Sequence, residues 1–445
     1  MLKIMFNGKS ASCKKDLLFI SPAMPSLTGS GSAMRAGCLL ESLADLFNIF
    51  LLVIPIYDGP IPVPCPMTEC CVQVATILDD PDDDSKRSNK DRKLLEEAHR
   101  FIAAVDVDVV HVFRMIMSPV IDGWLRKSAG HRPLCILDMD EIDSRANLRI
   151  AELYAAGQDR ANASRHETRA AQFAAQERDY LHLFDMVYIA NGPEHRELVR
   201  RYRCSQVEVV PNVIRIPATA GPKEKEKGKD DVFNLLFVGT MDYYPNQDAV
   251  MFFCKDVLPI LRERSHLPFR VNIVGAAPGP EVVALSDDPD ICVTGRVGDL
   301  GPYYRSADLV IAPIRAGGGT RIKILEAFSY QRPVVSTSIG AEGLCVTHDQ
   351  ELLLADTAAE FAAGCLRLME DRERCAVLVR NALAWVRENH TVSNVKGALD
   401  RALSTLMDTP QPGMEMTEDQ LLPESQGVPY AAPEHFGGGE PVAAW

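Results

Sequence analysis

The sequence predicts an α/β protein built of two doubly wound domains, each a mostly parallel sheet covered by helices. Three observations lead there. Short apolar runs of strand length alternate with longer stretches of helical spacing. That alternation breaks at one densely charged segment, ATAGPKEKEKGKDD (218–231), and then restarts. The length, 445 residues, exceeds what one typical core organises. The expected layout is an N-terminal domain over 1–216, a linker over 217–231, a second domain over 232–375, C-terminal helices over 376–407 and a disordered acidic tail over 408–445.

The elements follow in order. LLFISP (17–22) reads as a buried strand, SLTGSGS (26–32) as a loop, AMRAGCLLESLADLF (33–47) as a helix and IFLLVIPI (49–56) as the next buried strand. Together they form a βαβ unit. LDDPDDDSKRSNKDRK (78–93) reads as a charged, solvated excursion. VDVVHVF (107–113) and LCILDMD (134–140) are further buried strands, and 145–183 is alanine-rich with charges at helical spacing. MVYIAN (186–191) and VEVVPN (207–212) complete the first sheet. The second domain has strands at NLLFVGT (234–240), RVNIVG (270–275), ICVTGR (291–296), DLVIAPI (308–314) and RPVVST (332–337), with helices such as QDAVMFFCKDVLPILRER (247–264) between them.

The net charge of −14 argues against nucleic acid or an anionic membrane as the main partner, while leaving room for a local basic cleft. The 12 cysteines are scattered without a Cys-x-x-Cys pair, as expected of reduced thiols in the cytoplasm. The histidines show no zinc spacing. The N-terminus is short and only weakly apolar, and no long apolar run follows, so neither a signal peptide nor a membrane span is expected.

Doubly wound domains bind ligands beyond the carboxyl ends of their strands, so function is sought in the loops that follow strands. The richest is IRAGGGTRIKILEAF (314–328). Gly317, Gly318 and Gly319 let backbone N–H groups close on a phosphate at a helix start. Thr320 follows. Arg321 can grip a diphosphate with two prongs, and Lys323 adds a point charge. Glu326, one turn on, would be repelled by phosphate and suits hydroxyls such as those of a ribose. A loop for phosphate beside hydroxyls suggests a nucleotide. Neighbouring loops offer Gly239, Thr240 and Asp242 in FVGTMDYYPN, a glycine turn in IVGAAPG, and Arg296 and Val297 in TGRVGDL, where main-chain groups can meet a base. In the first domain, Gly29, Ser30 and Gly31 lie between strand and helix, but no Walker loop or dinucleotide fingerprint is present. His111 ends a buried strand, Arg114 follows it, and Asp138, Asp140, Glu141 and Asp143 cluster beside the next strand end. Acceptor hydroxyls, a metal or solvent would each account for these acids.

With these motifs in order (FVGTMDYYPNQDAV, VTGRVGDLGPYYRSADLVIAPI, GGGTRIKILEAFSYQRPVVST, IGAEGL and VEVVPNVI) the chain resembles the retaining GT-B glycosyltransferases of glycosyltransferase family 4 over about residues 17–405. The resemblance implies a nucleotide-diphosphate sugar held mainly by the second domain and an acceptor held mainly by the first. That acceptor would be a glycan, a lipid-linked sugar, a small molecule or a peptide. It implies hexosyl transfer without a cofactor or essential metal, and at most peripheral membrane contact. By similarity, Glu326 holds the ribose, the main chain near Arg296–Val297 the base, and Gly318 to Arg321 the diphosphate or sugar. The C-terminal helices would cross back to the first domain. Catalytic roles fall on Arg321, Lys323 and His111.

Three positions depart from the family pattern. Of two glutamates eight positions apart, the second is Glu326 but the first is Gly318; the phosphate-binding arginine is Thr240; and the second residue of the His-x-His is Phe113. Catalysis would then lean on stabilising the departing diphosphate, with Arg321 and Lys323 supplying the missing charge. Two rival readings stay open. One is a nucleotide-sugar 2-epimerase-like isomerase, and the other is a non-catalytic nucleotide-sugar-binding protein. An NAD-dependent oxidoreductase lacks its fingerprint.

Overall fold

A computed structural model of the chain describes residues 2–6, 13–55, 66–77, 87–127, 132–218, 221 and 232–408. The strands are β1 (Leu2–Phe6), β2 (Lys15–Ser21), β3 (Phe47–Val53), β4 (Cys71–Ile77), β5 (Val109–Phe113), β6 (Leu134–Asp138), β7 (Met186–Ile189), β8 (Val207–Val209), β9 (Phe233–Val238), β10 (Phe269–Val274), β11 (Ile291–Gly295), β12 (Leu309–Ala312), β13 (Val334–Ser336) and β14 (Leu353–Leu354). The helices of the first half are α1 (Gly31–Ala44), α2 (Arg87–Ala103), α3 (Asp122–Leu125), α4 (Asp143–Ala156), α5 (Arg160–Tyr180) and α6 (Gly192–Tyr202). Those of the second half are α7 (Tyr244–Phe252), α8 (Leu258–Arg264), α9 (Pro280–Val283), α10 (Gly301–Ser306), α11 (Ile322–Ser329), α12 (Ser338–Ala341), α13 (Ala358–Glu370), α14 (Arg372–Asn389) and α15 (Val392–Asp408).

The strands form two sheets, ordered β1-β4-β3-β2-β5-β6-β7-β8 and β11-β10-β9-β12-β13-β14. All pairs are parallel except β1 with β4. Near-continuous apolar runs explain this, because helices cover both faces and the central strands are buried along most of their length. In β2 the last five residues and in β5 all five are buried.

Several elements differ from the sequence reading, β4 and β14 among them, which it did not include. The N-terminal stretch supplies β1, an antiparallel edge strand in register from Leu2↔Ile77 to Phe6↔Gln73. Within the charged excursion expected over 78–93, helix α2 begins at Arg87, and residues 78–86 lie outside the described residues. Ala98, Phe101 and Ile102 of α2 are buried, with Leu94 and Leu95 packed against the same core. That apolar stripe sits in the second half of the helix, behind a charged first half that hides its period. Most of the linker and the tail beyond Asp408 also lie outside the described residues.

The last helix, α15, lies on the first domain. Val395, Ala398, Leu399, Ala402 and Leu403 share a core with Ala36, Leu39, Leu40 and Leu43 of α1 and with strand residues of the first sheet. Its predecessor α14 packs Leu378, Ala382 and Val386 into the cores of the second domain. The C-terminal helices therefore strap one domain to the other. At the strap's bend, the His390 ring nitrogen Nδ1 lies 2.7 Å from the Asn212 carbonyl, and Ile214 N–H donates to the His390 carbonyl at 2.9 Å.

Apart from the antiparallel edge strand β1, the strand order of each sheet reverses once, between β2 and β5 and between β9 and β12. A crevice opens at such a point because the flanking crossovers leave in opposite directions. The two crevices meet. A Cβ added to Gly31, at the start of α1, would come within 3.4 Å of Ile322 at the start of α11.

Candidate active site in the interdomain cleft

The glycine-rich loop spans the gap between β12 and α11. Gly317 and Gly319 have φ of 103° and 67°, a conformation that costs other residues a Cβ clash. Arg321 is the N-cap of α11 rather than part of its first turn. Its guanidinium curls back, donating from Nη1 to the Gly318 carbonyl and from Nη2 to the Ala316 carbonyl at 3.2 Å. Among the described residues Nε is buried without a partner, as is Oγ1 of Thr320, a residue 9% exposed. Arg321 therefore shapes the loop as well as charging it.

Lys323 stands in the first turn of α11. It donates to Asn246 Oδ1 at 2.7 Å and lies 4.1 Å from the centre of the Phe237 ring. Burial first, and then the Arg321 charge, hold its pKa well below that of a free lysine. Glu326, a turn further, accepts from the Tyr304 hydroxyl at 2.7 Å, and Tyr304 stacks on Tyr330. Burial raises the Glu326 pKa, against that hydrogen bond and the Lys323 charge.

The glycine turns beside this loop pack backbone on backbone. Gly239 N–H donates to the Val274 carbonyl at 3.0 Å, and Gly275 N–H to the Gly295 carbonyl at 3.2 Å. A Cβ at Gly275 would collide with the Gly239 carbonyl. Thr240 presents its carbonyl to Asn246 Nδ2 at 2.7 Å, so Asn246 links this turn to Lys323. Asp242 is exposed at the following turn. Arg296 is exposed beyond β11, at the sheet's edge, and Val297 packs on the second domain's core.

The first domain faces the loop with acids. Arg114, in a positive-φ conformation, pairs with Asp140 at 3.2 Å, Glu141 at 3.0 Å and Asp143 at 2.5 Å. Asp143 Oδ2 is buried and has no partner among the described residues, and burial raises the Asp143 pKa despite Arg114. Gly319 N–H donates to Glu194 Oε1 at 3.3 Å, and the Gly317 carbonyl accepts from Arg149 at 3.2 Å. Glu342 of the IGAEGL segment pairs with Arg145 at 2.8 Å and with Arg149. Tyr154 of α4 stacks on Tyr244 of α7 with ring centres 3.6 Å apart. Thus α4 closes against the second domain through charge, ring and backbone contacts. Ser30 caps α1, accepting from Ala33 N–H at 3.3 Å, and Gly29 is exposed beside it.

Sequence reasoning missed Glu194, Arg145, Arg149 and Asn246. Asn246 lies inside the FVGTMDYYPN motif but was not singled out there; Glu194, Arg145 and Arg149 sit in no motif, each being one charged residue on a helix that only chain folding turns toward the loop. Among the described residues, no group of three or more His, Cys, Asp or Glu gathers for a metal ion, and no helix is long and apolar enough to cross a membrane.

His111 requires correction as a catalytic candidate. Strand alternation turns it with Val109 and Phe113 to the face covered by α1 and α15, where it is 0% exposed. Its ring stacks on Phe19 at 4.6 Å, and neither ring nitrogen has a partner among the described residues. Burial, with Arg35 adding to it, pushes its pKa down from 6.5 to about 3. Between those values the unfolded chain binds the extra proton, so this contribution to stability is complete above about pH 6.5 and is lost as pH falls toward 3. A His111→Phe variant should therefore show a shallower loss of stability on acidification, by one proton, with nucleotide binding retained. Urea titrations from pH 7 to pH 4 measure the slope, and loss of binding in a folded variant would restore His111 to the site.

Comparison with known proteins adds three findings. Residues 232–371 match the family model described as Glycosyl transferases group 1. An uncharacterized 44.6 kDa protein in the cps region of Klebsiella pneumoniae is 25% identical over 171 residues, which cover 36% of this chain and 44% of that one. The chain thus spans less than half of that curated relative. Among solved structures, the sucrose-phosphate synthase of Thermosynechococcus elongatus superposes with a TM-score of 0.66 at 16% identity, over 88% of this chain and 99% of that one. Anabaena HepE, in complex with UDP and glucose, gives 0.61 at 16% identity over 88% and 100%. The fold is GT-B.

Proposed function

We propose that the chain is a glycosyltransferase that moves a sugar from a nucleotide-diphosphate donor to an acceptor hydroxyl, with retention at the anomeric carbon. The observation that carries this reading is the loop from Gly317 to Glu326. It sets Arg321 and Lys323 at a helix start on the cleft side of the second domain, within the segment that matches group 1 glycosyl transferases. In this reading Arg321 and Lys323 hold the diphosphate, Glu326 the ribose, and the backbone near Arg296–Val297 the base. Gly239, Thr240 and Asp242 border the phosphates. Gly29, Ser30, Gly31, Arg114 and Asp140 lie on the acceptor side. Hexosyl transfer in the cytoplasm without a metal belongs to the same proposal.

The chemistry follows from charge. As the bond to the anomeric carbon breaks, negative charge grows on the departing diphosphate, and fixed cations lower that barrier. A departing phosphate oxygen then accepts the proton of an acceptor hydroxyl arriving on the same face. Domain closure along α4 excludes water and limits hydrolysis.

The test is calorimetric titration with UDP, GDP, ADP and TDP. UDP comes first because the similar HepE holds it. One diphosphate is expected to bind, with proton uptake. Lys323 has a depressed pKa in the free protein, and a bound diphosphate raises it. Between those two values the complex carries the extra proton, so affinity falls as pH rises across that window. Titrations in buffers of different ionisation enthalpy measure the uptake. If none of the four binds, the reading is wrong. A second reading, nucleotide-sugar binding without transfer, draws on the burial of His111. Slow donor hydrolysis in the absence of acceptor counts against it, because a pure binder shows none.

A further inference from the structure

The apex of the glycine loop meets the first domain at one point. Where a Cβ of Gly318 would lie, Glu141 Oε2 stands 2.8 Å away and Glu194 Oε1 3.3 Å away. These two carboxylates are not equivalent. Glu194 is fully engaged: Oε1 accepts from Gly319 and Ile142 N–H groups, and Oε2 accepts from Asn191 at 2.7 Å. Glu141 is half engaged. Arg114 holds its Oε1 at 3.0 Å, and Oε2 has no hydrogen bond among the described residues.

The Glu141 carboxylate is nevertheless well fixed. Arg114 is itself clamped by Asp143 and Asp140, which sets the direction of Oε2 toward the loop. Two further polar atoms at this junction have no partner among the described residues, Thr320 Oγ1 and Asp143 Oδ2, each on a residue more than nine-tenths buried. Leaving such atoms unsatisfied is costly, and a ligand rich in hydroxyls would satisfy them. A phosphate is the wrong ligand here, because a carboxylate repels it. A neutral hydroxyl donates to Oε2 without penalty.

We propose that Glu141, a residue of the first domain, contacts the donor sugar, its Oε2 accepting a hydrogen bond from a hydroxyl of the transferred unit at the apex of the glycine loop. The missing side chain at Gly318 is what admits it. The inference rests on reading loop 317–326 as a nucleotide-sugar seat. It makes Glu141 a specificity-determining residue delivered across the cleft, so the sugar is sensed only when the domains are closed.

The experiment compares wild type, Glu141→Gln and Gly318→Ala by calorimetry. The probes are UDP, GDP, ADP and TDP, each against its sugar nucleotide: UDP-glucose, GDP-mannose, ADP-glucose and TDP-glucose. Glu141→Gln keeps the size of the side chain while removing its charge. Gly318→Ala drives Oε2 away and leaves the Arg114 anchor intact. For the base that binds, each variant should weaken the sugar nucleotide about tenfold, and Glu141→Gln, which lies outside the phosphate loop, should leave the parent diphosphate within about twofold. The double variant should lose no more than either single one. A ratio of sugar-nucleotide to diphosphate affinity that is unchanged or raised in Glu141→Gln overturns the inference and leaves the donor seat standing. Failure of wild type to bind any diphosphate overturns the seat and the inference together.

Discussion

Arg321→Ala should lower sugar transfer by a factor of about 10²–10³ while costing only about 1–2 kcal/mol of stability. The residue does two jobs at the head of α11. It donates to the carbonyls of Gly318 and Ala316, which sets the curvature of the loop, and its positive charge stands where a departing diphosphate would sit. Loss of the first function leaves the carbonyls of Ala316 and Gly318, both buried residues, without that donor; water entering the space vacated by the guanidinium can replace it, so the cost stays at about 1–2 kcal/mol. Loss of the second removes a fixed cation at the point of growing charge, where it has the greatest effect on rate. Arg321→Lys should fall between, because a lysine keeps the charge and loses the two-pronged grip. The measurements are turnover of the sugar nucleotide that matches the bound diphosphate and the midpoint of thermal unfolding. Wild-type turnover in Arg321→Ala would remove the loop from the mechanism.

Arg35→Met should destabilise the chain by about 3–5 kcal/mol, without any change to the loop. Arg35 is 3% exposed on α1. Its Nε donates to both oxygens of Asp138 at 3.0 and 3.1 Å, and its Nη1 donates to the Val210 carbonyl and to Asn212 Oδ1, each at 3.0 Å. One side chain thereby ties α1 to the end of β6 and to the segment leading out of the first domain. Asp138 is fully buried, and burial raises its pKa even against the Arg35 charge. Without Arg35 that pKa rises further. The native state then holds a proton that the unfolded chain releases near pH 4, so the deficit of the variant grows as pH rises. Urea unfolding at pH 5 and pH 8 tests both claims. A deficit under 1 kcal/mol, or one larger at pH 5, would show that the pair does not anchor α1. Arg35→Met combined with Asp138→Leu should recover much of the loss, since no buried charge is left alone.

How far the sequence carries differs between the two sheets. The second domain was legible almost strand by strand, because its apolar runs are short and bounded by glycine and proline. The N-terminal strand β1 and the helix α2 were less so. The first is an edge strand beside charged and small residues, and the second hides an apolar stripe behind a charged half-turn pattern. His111 shows the limit of reading chemistry from a strand end. Its neighbours Val109 and Phe113 already shared its face in the alternation, but which face met helices and which met the cleft depended on where α1 and α15 pack.

By itself the sequence determined what is local: the strand runs, the three glycines that free the backbone, and the cations and the carboxylate spaced along one helix from Arg321 to Glu326. These follow from neighbours a few residues apart, where the periods of strand and helix act directly. The tertiary structure decided everything that depends on residues meeting across the cleft. It turned Arg321 back onto its own loop, set Asn246 beside Lys323, buried His111, and brought Glu141 and Glu194 of the first domain onto Gly318 and Gly319 of the second. The contacts of Glu141 and Glu194 join positions more than a hundred residues apart, and no periodicity within either segment encodes them. They arise from the strand orders that bring two crevices face to face, and from α15, which straps the domains so that those crevices form one site.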